Sequence, residues 1–146
     1  MLKKISSTLA VTVLAATALT GCSAKLSVAD TCSYINDQIK ERDIAAQIQQ
    51  AQEDSSSAGL SASAKPIKAL GELMADAAKK TEDDKLAEAL NATAEQHSKT
   101  AEILSEKDVN VMTLSDKLSQ AVDMDAMDEY GEYLDQTCPD VDALDN

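Results

Sequence analysis

One histidine, three cysteines and 26 acidic side chains are what this 146-residue sequence offers for chemistry. His97 is the only imidazole, so a Ser-His-Asp triad or a histidine-rich metal site reduces to the role of that one residue. It lies on a helical apolar stripe, Leu86, Leu90, Thr93, His97, Ala101 and Leu104. A lone histidine there is more often a hydrogen-bonded core residue than a ligand contact, and both readings are carried forward. The acidic run Asp123, Asp125, Asp128 and Glu129 invites a calcium reading, but Met127 occupies the third ligand position of such a loop and no glycine follows it. A solvated acidic face is the better account. Met74, Met112, Met124 and Met127 fit core packing better than a soft-metal site. The sequence contains no nucleophile elbow, haem motif, zinc-protease motif or glycine-rich phosphate loop, and four glycines leave little room for one. These residues give no cofactor and no enzyme.

Composition narrows the classes further. The net charge of −13 opposes the phosphates of nucleic acid. The absence of Trp and Phe removes the stacking platforms that single strands need. No nucleic acid partner is expected.

The elements that must position these residues begin after a targeting segment. Lys3 and Lys4 form a short positive region, and residues 5–19 are apolar or small apart from Ser and Thr, too short to span a bilayer comfortably. That segment ends in Leu19-Thr20-Gly21-Cys22, which resembles the lipobox of bacterial lipoproteins. The resemblance implies a diacylglyceryl group on Cys22, cleavage just before it and further acylation, hence a lipid anchor on the extracytoplasmic face of a cell membrane. Two or three acyl chains, at about 0.8 kcal/mol per buried methylene, hold a protein far better than one. The alternative is an ordinary secretory signal with a chance cysteine. The remainder is loosely similar to small acidic lipoproteins of high-GC Gram-positive bacteria, a likeness that carries no activity with it.

Residues 1–21 are thus read as signal peptide, 22–29 as lipidated tether, 30–138 as a folded unit and 139–146 as an acidic tail. Losing residues 1–21 removes two lysines and no acid, so the rest carries −15. A tether over 23–28 reaches at most about 20 Å. An acidic domain so held is repelled by anionic lipid.

With Cys22 lipidated, Cys32 and Cys138 remain as an even pair in an exported chain, and a disulfide is the default. Neither sits in a C-x-x-C motif or near the histidine, which disfavours a redox pair or a metal site.

Apolar spacing gives four helices and no strand. The first covers about 30–53, with Val28, Cys32, Ile35, Ile39 and Ala46 on one face. A Ser/Ala/Gly-rich connection covers 54–64. The second helix starts at Lys65-Pro66, with Ile67, Leu70, Met74, Ala77 and Ala78 as its stripe. Thr81-Glu82-Asp83-Asp84 caps the third. Thr113 or Ser115 caps the fourth, which Pro139 stops. The expected fold is all-α, an antiparallel up-down-up-down four-helix bundle whose first and last helices share the disulfide.

That disulfide sets a register in which Arg42 opposes Asp128, one turn from Asp125. At this height the stripes change face, from Ile35 and Ile39 to Ile44 and Ile48, and from Leu114, Leu118 and Ala121 to Met124, Met127 and Leu134. An inward ion pair of Arg42 with Asp125 or Asp128 at a bend is one reading, and a surface pair worth little is the other. Ile44 and Ile48 form a partner patch or repack under the serine-rich connection. The functional expectation is a non-enzymatic envelope module that binds another protein or supports an assembly. The alternative is a lipoprotein that binds a small ligand or cation in its interior near His97. Oligomeric state is not legible.

Overall fold

The computed structural model describes residues 25–53, 56–107 and 109–141, without the side chains of 52, 57 and 124–127. Cys22 and the end of the acidic tail lie outside the described residues. Six helices follow one another: α1 (Val28–Glu41), α2 (Ile44–Gln52), α3 (Ser57–Lys80), α4 (Asp84–Leu104), α5 (Val111–Ala121) and α6 (Met124–Thr137). Among the described residues there is no strand, only an isolated parallel bridge between Leu26 and Thr81.

The expected first helix is broken in two. Arg42 closes α1, and Asp43 takes a left-handed conformation at φ 54° before α2 begins. Aspartate tolerates that region better than most residues. The break has a packing reason: nine residues at about 100° each would put Ile44 about 180° from Ile35 on an unbroken helix. Re-aimed at Asp43, both are buried, each 1 % exposed. The expected last helix breaks likewise, at extended Val122, where its stripe changes face.

Helix α3 starts well before Pro66, so most of the segment read as a connection is helical. Ser56 caps it by accepting from the Gly59 N–H (3.3 Å), and Ser63 donates its hydroxyl to the Gly59 carbonyl (3.1 Å). Ser63 and Ala64 are buried, as is Ala51 of α2, which packs on α3. Small residues let these two helices approach closely, and that packing holds as helix a stretch whose composition alone reads as linker. Pro66 removes only the bond its N–H would have given the Ala62 carbonyl.

The cap expected at residues 81–84 is present, with Asp83 accepting from the Leu86 N–H at 2.7 Å. The cap of α5 is Asn110, whose side chain accepts from Met112 and Thr113 while Thr113 returns a bond to the Asn110 N–H. Thr113 is thus the far half of a capping box rather than the cap.

The α3–α4 hairpin forms the centre. Helices α1 and α2 pack on α3, and α5 and α6 on α4. Leu73, Met74, Ala77, Leu86, Ala89 and Leu90 are fully buried in the seam, joined by Ile35 and Ile39 from α1 and Leu134 from α6. No aromatic ring enters this core; Tyr34, Tyr130 and Tyr133 pack against its edge.

The start of the described chain is stitched to the α3–α4 turn rather than trailing as a tether. Leu26 donates its N–H to the Lys80 carbonyl (2.7 Å) and accepts from the Glu82 N–H (2.8 Å). Lys25 Nζ donates to the carbonyls of Lys79 (2.9 Å) and Thr81 (3.1 Å), groups that a helix end leaves without intrahelical partners. Ser27 then caps α1, so the helix begins at Val28 and not at Asp30.

Candidate functional site

Two places gather functional groups: the α3–α4 seam around His97, and the end of the molecule where α1, α6 and the α3–α4 turn meet.

In the seam, α4 sets His97 against Gly71 of α3. A Cβ on Gly71 would lie 3.0 Å from His97 Cβ and 3.1 Å from the Ala94 carbonyl, so the helices touch here backbone to backbone. Nε2 of His97 is buried with no hydrogen-bond partner, as is Oε1 of the neighbouring Gln96. Burial lowers the His97 pKa below its ordinary 6.5 by disfavouring the charged ring. The expected partly buried histidine is half-buried in the seam, and its buried Nε2 lacks the hydrogen bond expected of it. Cavities among the described residues open on the α2–α3 face, beside Tyr130 and Tyr133, and beside the disulfide, and His97 lines none of these.

At the end of the molecule, Cys32 of α1 and Cys138 just after α6 form a disulfide with Cα atoms 5.3 Å apart. A cavity of about 310 Å³ beside it is lined by Ser33, Asn36, Asp37 and Asp140 among others. Nearby, Asp76 of α3 accepts from the Tyr34 hydroxyl (2.6 Å) and from Lys80 Nζ (2.5 Å), with that ammonium 4.2 Å from the Tyr34 ring centre. Lys80, then Tyr34, hold the Asp76 carboxyl below its ordinary range, and Asp76 raises Lys80 in return. Both charged side chains are more than two-fifths exposed, so the pair adds little to stability. The i,i+4 spacing of Asp76 and Lys80 was legible; that Tyr34 joins them across the α1–α3 contact was not. On the other flank, Lys85 Nζ lies 4.2 Å from the Tyr133 ring centre.

The remaining expected site residues fall apart. Arg42 is exposed, and its guanidinium donates to Gln38 Oε1 at 2.7 and 3.1 Å one turn back on α1, because α1 ends here packed on α3 and α2 and not alongside α6. It is not an inward residue. Asp128 is exposed, and the Asp125 side chain lies outside the described set. Ile44 is core and Ile48 packs against it, so they form no partner patch. The exposed apolar pair is instead Val111 and Met112, 61 % and 86 % exposed at the start of α5. Val111 falls on the face of Leu114 and Leu118 one turn before them, whereas Met112 lies off that stripe.

Among the described residues no three His, Cys, Asp or Glu side chains gather to hold a metal, and no helix is long and apolar enough to cross a membrane. No family model, curated protein or solved structure matches this chain.

Proposed function

We propose that this chain is an extracytoplasmic lipoprotein, anchored through Cys22, whose helical domain is a non-enzymatic module for binding a protein of the cell envelope. The observation that carries the reading is the pairing of cysteines. Cys32 and Cys138 take each other, which leaves Cys22, at the end of a lipobox-like segment, without a disulfide partner in the chain. A disulfide of this kind suits an oxidising compartment outside the cytoplasm. We read the domain as an up-down-up-down bundle whose first and last helices are each broken once, with α1–α2 and α5–α6 standing where single helices were expected. The close approach of Gly71 to His97 Cβ and the Ala94 carbonyl leaves no room for a ligand between the helices at that point, which favours the interaction module over interior ligand binding.

The test is expression of the full chain in a bacterial host that matures lipoproteins. The wild type is expected in the membrane fraction, starting at residue 22 and heavier by its acyl groups. Cys22→Ser is expected to lose that mass and be released. A wild type that is soluble and unacylated overturns the anchor. Native mass spectrometry of the purified domain then separates the two binding readings: an empty protein keeps the module, and a bound small species that His97→Ala removes replaces it.

A further inference from the structure

The stitched arm says more than the anchor itself. We infer that the face around the α3–α4 turn is the surface this protein holds against the bilayer, with α5 pointing away from it; this rests on Cys22 being the lipid anchor. Lys25 and Leu26 are tied to the turn by four hydrogen bonds, two from Lys25 Nζ and two through the Leu26 backbone. Only three residue steps separate Cys22 from Lys25, a reach of at most about 10 Å. An anchor on so short a lead fixes which end of the domain meets lipid, whereas a free tether over 23–28 would not.

Charge points the same way. Residues 25–26 and 76–85 together carry four lysines and four acids, so the region holding the arm is neutral in a chain whose part beyond residue 21 carries −15. An anionic headgroup layer repels this end less than the charge of the whole chain would suggest. Helix α4 rises from the turn for 21 residues, about 30 Å. The exposed Val111 and Met112 begin α5, after the connection that follows the far end of α4. The surface left for a protein partner is then the one that bears an uncovered apolar pair.

The experiment uses the full acylated chain in phosphatidylcholine–phosphatidylglycerol vesicles that contain a lipid with a nitroxide headgroup. A fluorophore is attached to Glu82→Cys in one sample and to Met112→Cys in another, with the native disulfide oxidised. Quenching at position 82 is expected to be several-fold stronger than at 112. Leu26→Pro, which removes the N–H donated to Lys80, is expected to shrink that contrast while the helical circular dichroism is unchanged. Protein that floats with the vesicles but is quenched equally at both positions, or more at 112, overturns the orientation alone. Full contrast in Leu26→Pro overturns the arm as what sets the orientation. Protein that fails to float overturns the anchor and the orientation together.

Discussion

The α3–α4 hairpin is covered differently at its two ends. At the turn, α1 contributes Ile35 and Ile39 to the core, α6 contributes Leu134, and the arm, the Cys32–Cys138 bond and the Asp83 cap tie the ends of four helices together. At the far end, α5 has no buried residue of its own, although Val109 before it and Val122 after it are buried. It is pinned at both ends and otherwise rests on α4, with Lys117 paired to Glu106. Helix α5 is as amphipathic as α1 in its spacing. The difference teaches that an apolar stripe records the need for a partner surface and does not say whether the chain itself supplies one.

The largest effect that would break this comparison is loss of the disulfide. Cys32 and Cys138 are 106 residues apart, and the chain-entropy argument assigns a loop of that length about 4–5 kcal/mol. The double substitution to serine is expected to lower the urea midpoint by that equivalent, a large part of the stability of a domain this size. A midpoint unchanged by reductant would mean that the core alone holds the turn end together. Next comes a matched pair of truncations. Leu73→Ala empties a fully buried position and is expected to cost about 2–5 kcal/mol. Leu118→Ala on α5 is expected to cost about 1 kcal/mol or less. Equal losses in urea unfolding would show that α5 is covered after all.

Smaller effects sharpen the picture inside the seam. Gly71→Ala meets the Ala94 carbonyl and His97 Cβ, neither of which can rotate away, so α3 and α4 must part. The expected cost is about 1–3 kcal/mol, reduced by the roughly 0.5–1 kcal/mol that alanine gains over glycine inside a helix. The neighbouring imidazole gives a pH signature. Because burial depresses the His97 pKa, the unfolded chain takes up the proton first as pH falls. Its contribution is complete above about pH 6.5, declines between there and the lowered folded value, and is constant below that. Urea midpoints measured at pH 7.5 and 5.5 are expected to fall in the wild type and to fall less in His97→Gln. An equal fall in both would assign the acid sensitivity to carboxylates.

Much of the centre was legible because it depends on local pattern. The stripes Leu70, Met74, Ala77 and Leu86, Leu90, Leu104 are buried as their spacing required, and the cysteine pair closed as expected. The stripe changes at Ile44 and Met124 mark the two breaks. Arg42 was misplaced because opposing it to Asp128 assumed that α1 and α6 run side by side, whereas α1 packs on α3 and α2 and leaves Arg42 in solvent at its end. The start of α3 was misread because serine and alanine were weighed as linker composition, while their burial depends on Ala51 of a helix that had not yet been placed. The arm could not be foreseen: its bonds from Lys25 Nζ and through the Leu26 backbone all end on backbone groups some 55 residues away, and side-chain pattern is silent on those.

The smallest expected effect is at Asp43 and tests how the two halves are joined. Its side chain makes no capping bond to α2, so the residue is there for its backbone, at φ 54°. Glycine takes that conformation freely, against about 1–2 kcal/mol for an ordinary L-residue, but the unfolded chain gains freedom from glycine, which offsets part of the relief. Asp43→Gly is therefore expected to leave the urea midpoint within about 0.5 kcal/mol of wild type, on the stabilising side. Asp43→Val, β-branched, is expected to lower it by about 1–2 kcal/mol. Because the strain sits at the α1–α2 joint, amide exchange is expected to quicken in α2 and not at Leu86 or Leu90. A valine variant as stable as wild type would mean that α1 and α2 are one continuous helix, and Ile44 would then have to turn away from Ile35 and leave the core.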